Sequence, residues 1–238
     1  MEKLLLHKVN FLNHMDQIVS KDPGVIGIIT GQNGINTSLE EFISNSKNLM
    51  SNIHEGTTYI GTHNKSEGLS KDLSRTTNAE LKNRTLTPNA TQTGRFIGII
   101  ADSLGNIRSQ SYWLHVPHSE AGVLFNLGYT TLSDSQKTTL KNQLIVFAVA
   151  PAEPISWQHS FEADNIYSDK DCLTGPLGKK YKNNPDYNIS YIKCESPRKE
   201  FSAYIADHAF TGTTYRNATT RKTKDLRRDY GFHDSRKR

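Results

Sequence analysis

Cysteine is almost missing from this chain: Cys172 and Cys194 are the only two in 238 residues. That excludes a disulfide-stapled scaffold and a four-cysteine zinc site, and leaves either one disulfide or two thiols. No apolar run approaches the ~20 residues that a membrane-spanning helix needs, so no contact with a membrane is expected. Met1 to Asn13 holds a short apolar core at Leu4, Leu5 and Leu6, too brief and too interrupted for a signal peptide, and the compartment stays open. Also lacking are a phosphate-binding glycine loop, a G-x-S-x-G nucleophile elbow, an HExxH helix and paired CxxC motifs. Nucleotide-dependent phosphoryl transfer and zinc-hydrolase chemistry lose ground accordingly, and no cofactor is called for.

Charged residues are sparse at 22%, and hydrophobic residues make up 35%. The polarity therefore sits in Ser, Thr and Asn, which compete with helical hydrogen bonds and favour strands, caps and loops. The length is sufficient to bury a core without staples. Net charge is +5, and the cations crowd one end. From Arg216 the chain carries Arg221, Lys222, Lys224, Arg227 and Arg228, then Arg236, Lys237 and Arg238, against Asp225, Asp229 and Asp234. Such a run is either a phosphate-contacting arm or a solvated tail.

Apolar spacing at Leu5, Val9, Leu12 and Met15 predicts a helix over 2–19. Ser38 and Glu41 form a capping box for a helix over about 39–53. Val25 to Thr30, Thr57 to Thr62 and Leu144 to Val149 read as strands, and so does Phe96 to Ala101, closed by a turn at Ser103-Leu104-Gly105-Asn106. Residues 63–93 read as a mobile polar loop. A strand then runs to Trp113-Leu114-His115-Val116-Pro117-His118. Gly122 to Thr131 is apolar and ambiguous; Ser133 and Gln136 cap a short helix. Residues 157–186 read as irregular and 187–194 as a strand, and Ser196-Pro197 opens a helix carrying Phe201 and His208. Interleaved strands and helices predict an α/β domain, with mixed α+β as the alternative: a strand-rich central sheet flanked by helices over 1–215, then a basic C-terminal tail over 216–238.

His115 and His118, at a strand end, are of the type that serves as nucleophile or general acid/base. Each is also the kind of residue a core holds for structural reasons. Arg95 and Asp102 bracket the expected strand; an arginine can fork onto a phosphate and a carboxylate can orient a histidine. His159, Glu162 and Asp164 are the densest metal-like cluster, but their spacing matches no strong motif. His208, late in its helix, reads as structural.

The segment from Arg95 through Phe96 to Ala101, Asp102, the turn at Gly105 and Trp113-Leu114-His115-Val116-Pro117 resembles the deoxyribonuclease II family. That resemblance implies a phospholipase D-like fold and metal-free cleavage of DNA, with His115 as the strand-end histidine and Arg95 as a phosphate ligand. Asn188 to Phe210 is similar to a strand and helix of the family's second half. Thr93 stands where the family's first catalytic histidine belongs, and His233-Asp234-Ser235-Arg236 is a loose echo of its second histidine-x-lysine element.

Three functional readings follow. The first is a nuclease or phosphodiesterase using His115, His118, Arg95 and Asp102, with Arg221, Lys222, Lys224, Arg227 and Arg228 on the nucleic acid, DNA or RNA. The second is a non-enzymatic nucleic-acid-binding protein with a basic arm. The third is a metal-dependent hydrolase using His159, Glu162 and Asp164. A homodimer is left open.

Overall fold

A computed structural model describes residues 24–35, 37–53, 57–64, 67, 69–106, 111–195, 208 and 212–232. The helix expected over 2–19 and the one opening at Ser196-Pro197 lie outside the described residues.

The architecture follows from strands apolar on both sides. β1 (Ile26–Gln32) and β4 (Leu144–Val149) are buried at every position, which a strand tolerates only inside a sheet covered on both faces. With β2 (Thr58–Thr62), β3 (Tyr112–Pro117), β5 (Glu162–Ser168) and β6 (Ile189–Ile192) they form one six-stranded sheet in the order β2-β1-β3-β4-β5-β6. Every pairing is parallel. The fold is α/β.

Alternation along β3 sends side chains to opposite faces. Trp113 joins Ile28, Val146 and Ala148 in one apolar layer, while Leu114 and Val116 join Ile29, Ile145 and Phe147 in the other. The first layer is covered by α3 (Pro88–Asn106), α4 (Glu120–Tyr129) and α5 (Asp134–Gln143). The second is covered by α1 (Leu39–Ile53) and α7 (Thr213–Asp229), which pack against each other. α2 (Leu69–Ser74) runs into a π-helix (Arg75–Lys82) that lies against α4, and α6 (Gly175–Tyr181) lies on β5. No helix among the described residues is long and apolar enough to cross a membrane.

Several expected elements hold. The capping box at Ser38 and Glu41 is made in both directions, at 3.1 and 2.8 Å, and so is the one at Ser133 and Gln136. Others are corrected. Phe96 to Ala101 is not a strand, and Ser103 to Asn106 is not a turn; both lie inside α3. Ile97, Ile100, Ala101 and Leu104 recur at helical spacing and are all buried. Thr87 caps that helix, its Oγ1 accepting from the Ala90 N–H at 3.2 Å, with Pro88 in the first turn where its missing N–H costs nothing. Residues 63–93 are not one loop: they contain α2, the π-helix and the start of α3. The stretch 157–186 contains β5 and α6. From Arg216 to Asp229 the expected tail is helix, with Ala218, Thr219, Thr223 and Leu226 buried.

α3 and α4 touch backbone to backbone where Gly94 meets Gly128. A Cβ built on Gly128 would lie 2.7 Å from the Gly94 nitrogen. Gly128→Ala is therefore expected to force the helices apart and cost about 1–3 kcal/mol, measured as a lower urea midpoint at unchanged slope.

Candidate functional site

In this sheet β1 leads outward to β2 on one side, and β3 begins the run to β6 on the other. The crevice beyond the carboxyl ends of β1 and β3 is thus the topological switch point, the usual ligand position in open α/β sheets. β3 ends at Pro117, whose ring cannot continue a ladder. The chain then turns sharply through His118 and Ser119 into α4. Ser119 has φ 57° and ψ −119°, a strained conformation for a residue with a side chain. The turn is braced from both neighbours: the His118 N–H donates to the Gln32 carbonyl of β1 at 3.0 Å, and the Ser119 N–H to the Val149 carbonyl of β4 at 3.2 Å.

Two further residues at the same end of the sheet complete a chain of polar contacts. Asp171 follows β5, and His208 follows β6 in sequence. His208 Nδ1 lies 2.8 Å from Asp171 Oδ2, and its Nε2 lies 2.9 Å from Ser119 Oγ. A nitrogen facing a carboxylate must carry the proton, so Nδ1 donates to Asp171. In the neutral imidazole Nε2 is then the acceptor, and the Ser119 hydroxyl donates to it. All three residues are buried. Asp171 is held ionised: burial alone would push its carboxyl up, but bonds and charge from His208 and bonds from Thr174 outweigh this and hold it far below the usual range.

His118 stands one residue before the serine. Its Nε2 lies 2.9 Å from the backbone carbonyl of His208 and therefore donates to it. Burial, reinforced by the nearby His208, lowers its pKa to about 3, so it stays a neutral strut across the neutral range.

Across the crevice, the loop after β1 presses on the serine. A Cβ on Gly34 would lie 2.3 Å from Ser119 Cβ and 2.9 Å from its Oγ, so only glycine fits. That loop is pinned by a pair of asparagines. Asn33 Oδ1 accepts from the Asn64 N–H at 2.7 Å, and the Asn64 amide donates to the Asn33 carbonyl at 2.9 Å. Behind the elbow, the Glu120 carboxylate takes Arg75 at 2.8 Å and the Thr76 hydroxyl at 3.0 Å. Burial pushes the Glu120 carboxyl up, and Arg75 and Thr76 pull it back.

The residues expected to form a site are mostly kept apart. His115 is fully buried mid-strand, sharing a 2.7 Å bond with Thr30 and stacking on Phe125. Arg95 is exposed on α3. Asp102, on the same helix, accepts two bonds from Gln136 at 3.0 and 3.1 Å. Of the four, only His118 reaches the crevice. His159 stacks on Tyr129 at 4.0 Å, whereas Glu162 and Asp164 both bind Lys222; no metal-like group occurs among the described residues. On α7, Arg221 pairs with Glu195, and Arg228 with Asp225 and Asp229. Lys224 and Arg227 are exposed.

Sequence reading passed over Ser119 and Asp171 and gave His208 a structural role. The available signal was a strand, a serine and an apolar helix in succession, with Ala121 and Gly122 as the small residues after the serine and Pro117 replacing the first glycine of the usual elbow. No family model, curated protein or solved structure matches this chain.

His115 and His118 generate a pH prediction. Both have folded pKa values of about 3 against an ordinary 6.5, burial being the main cause. The unfolded chain then binds more protons between these values, so stability falls as pH drops from about 6.5 toward 3. Each histidine adds about 1.4 kcal/mol per pH unit to that slope. Urea unfolding between pH 4 and 7 checks this; His115→Gln is expected to remove one proton's share.

Proposed function

We propose that this chain is a serine hydrolase of the α/β-hydrolase type, acting on carboxylic esters. What carries the reading is the Ser119–His208–Asp171 chain of contacts, mounted on a strained strand-to-helix turn at the switch point. The order serine, aspartate, histidine along the chain is the order that such enzymes use.

The chemistry follows from the assigned protons. Ser119 Oγ attacks the ester carbonyl carbon as His208 Nε2 takes its hydrogen. Asp171 keeps the imidazole in the tautomer that can accept, and stabilises the imidazolium that forms. The backbone N–H of Glu120, first in α4, and the backbone of the Asn33–Gly34 loop are the groups next to the developing oxyanion; donors there are usually the largest catalytic contribution. The tetrahedral adduct collapses, the alcohol leaves with the proton from His208, and an acyl-serine remains. Water then gives its proton to His208 and attacks the acyl carbon, releasing the carboxylic acid and restoring the serine.

Nucleic-acid binding retains one support, the exposed cations Arg216, Lys224 and Arg227 of α7. The histidine-nuclease reading finds His115, Arg95 and Asp102 in separate places, and the metal-hydrolase reading finds Glu162 and Asp164 occupied by Lys222.

Purified protein is expected to hydrolyse p-nitrophenyl esters and to be labelled by a fluorophosphonate at Ser119. Ser119→Ala should lose labelling and reduce kcat by about 10⁴-fold or more. Ester turnover that survives Ser119→Ala, or folded wild-type protein that never labels, would sink the reading. Plasmid cleavage lost on His115→Ala but kept on Ser119→Ala would favour the nuclease instead.

A further inference from the structure

The Asp171 carboxylate is more fully satisfied than the orientation of a histidine requires. Its Oδ1 accepts the N–H groups of Leu173 and Thr174, at 2.9 and 3.0 Å. Its Oδ2 accepts three donors: His208 Nδ1 at 2.8 Å, Thr174 Oγ1 at 2.9 Å and the Tyr215 hydroxyl at 3.0 Å. Thr174 and Leu173 belong to the same turn as Asp171. Tyr215 does not: it is fully buried on α7, 44 residues away, on the sheet face opposite α4. Its proton has a defined direction. The Ser168 N–H at the end of β5 donates to the phenol oxygen at 2.7 Å, leaving the phenol hydrogen for the carboxylate.

We propose that Tyr215 is a positioning residue of the hydrolytic site, holding Asp171 Oδ2 against His208 and drawing off part of its negative charge. This rests on the serine-hydrolase reading. A donor on the carboxylate oxygen that faces the imidazole competes with the imidazolium for that oxygen's charge. With the phenol in place, His208 gives up its proton more readily and is a neutral base at lower pH. Without it, the carboxylate holds the imidazolium more strongly.

Among the described residues, three other ionisable groups stand near the pair. The His118 ring lies 5.1 Å from His208 and stays neutral above about pH 3. Cys172 adjoins Asp171, and both burial and that carboxylate push its thiol up. Burial raises Tyr167 well above its ordinary value, with Asp171 adding to the effect. The shifts of all three carry them away from the range between pH 5 and 8.

The test is Tyr215→Phe beside protein carrying 3-fluorotyrosine at 215, whose phenol is a stronger donor of nearly the same shape. Two readouts are followed: the acid limb of kcat/KM for a p-nitrophenyl ester, and the His208 imidazole titration by NMR, assigned with His208→Gln. Tyr215→Phe is expected to raise both midpoints by about half to one pH unit and to lower kcat about tenfold with KM within about twofold. The fluorinated side chain should move both midpoints downward. If Tyr215→Phe does not fold, the fluorinated protein decides alone. Midpoints unmoved in folded protein overturn the proposal. If wild-type protein neither turns over esters nor labels at Ser119, the hydrolase reading fails by itself, and the NMR titration still reports whether Tyr215 acts on the pair.

Discussion

The positive φ of Ser119 is the constraint around which this molecule is arranged. A side chain held in that conformation costs about 1–3 kcal/mol and persists only where its surroundings over-determine it. Here the ladder bonds of the two neighbouring strands do so, one landing on β1 and one on β4. Those bonds exist because β3 is the third strand of a parallel sheet and has a neighbour on each side. An edge strand could brace its terminal turn from one side only. The turn is therefore a consequence of strand order, and the helices that cover the sheet keep the central strands buried.

The same sheet shows how one residue type is put to opposite uses. His115 lies three residues before His118 in the chain. It sits mid-strand among Trp113 and Phe125, with no carboxylate of the described residues within bonding distance, and burial leaves it neutral. His208 is nearly as buried, yet an ionised aspartate faces one of its nitrogens and a hydroxyl the other. What separates the two imidazoles is the pair of partners each meets, and those of His208 come from the loops that follow two other strands. The cations of α7 divide similarly: Lys222 neutralises Glu162 and Asp164 on the flank of β5, while Lys224 remains at the surface.

The α/β class and several elements were legible in the sequence because they rest on local signals. The capping boxes at Ser38 and Ser133 and the apolar run of β4 each specify their element within a few residues. The run Phe96-Ile97-Gly98-Ile99-Ile100 defeated that approach. Five consecutive residues of this kind fit a buried strand and a buried helix equally well, and the deciding cue, Thr87-Pro88, stood a full two turns upstream. The site was harder still. Ser119 contacts a histidine 89 residues away, which contacts an aspartate 37 residues from it. No periodicity links them, and Pro117 hides the elbow from a glycine-based pattern. The backbone asks for small residues after the serine, and Ala121 and Gly122 provide that without the familiar spelling.

Because Tyr215 belongs to α7, the polar relay reaches from Ser119, just after β3, to the last long helix. Contacts of such sequence separation require the chain between them to close first, at a cost in loop entropy. On the proposed reading, a ribosome making this protein carries a serine without its base until His208, 89 residues further on, has emerged and docked. A nascent or partly unfolded molecule would expose the same residues without the reactivity, so the activity itself reports completed folding.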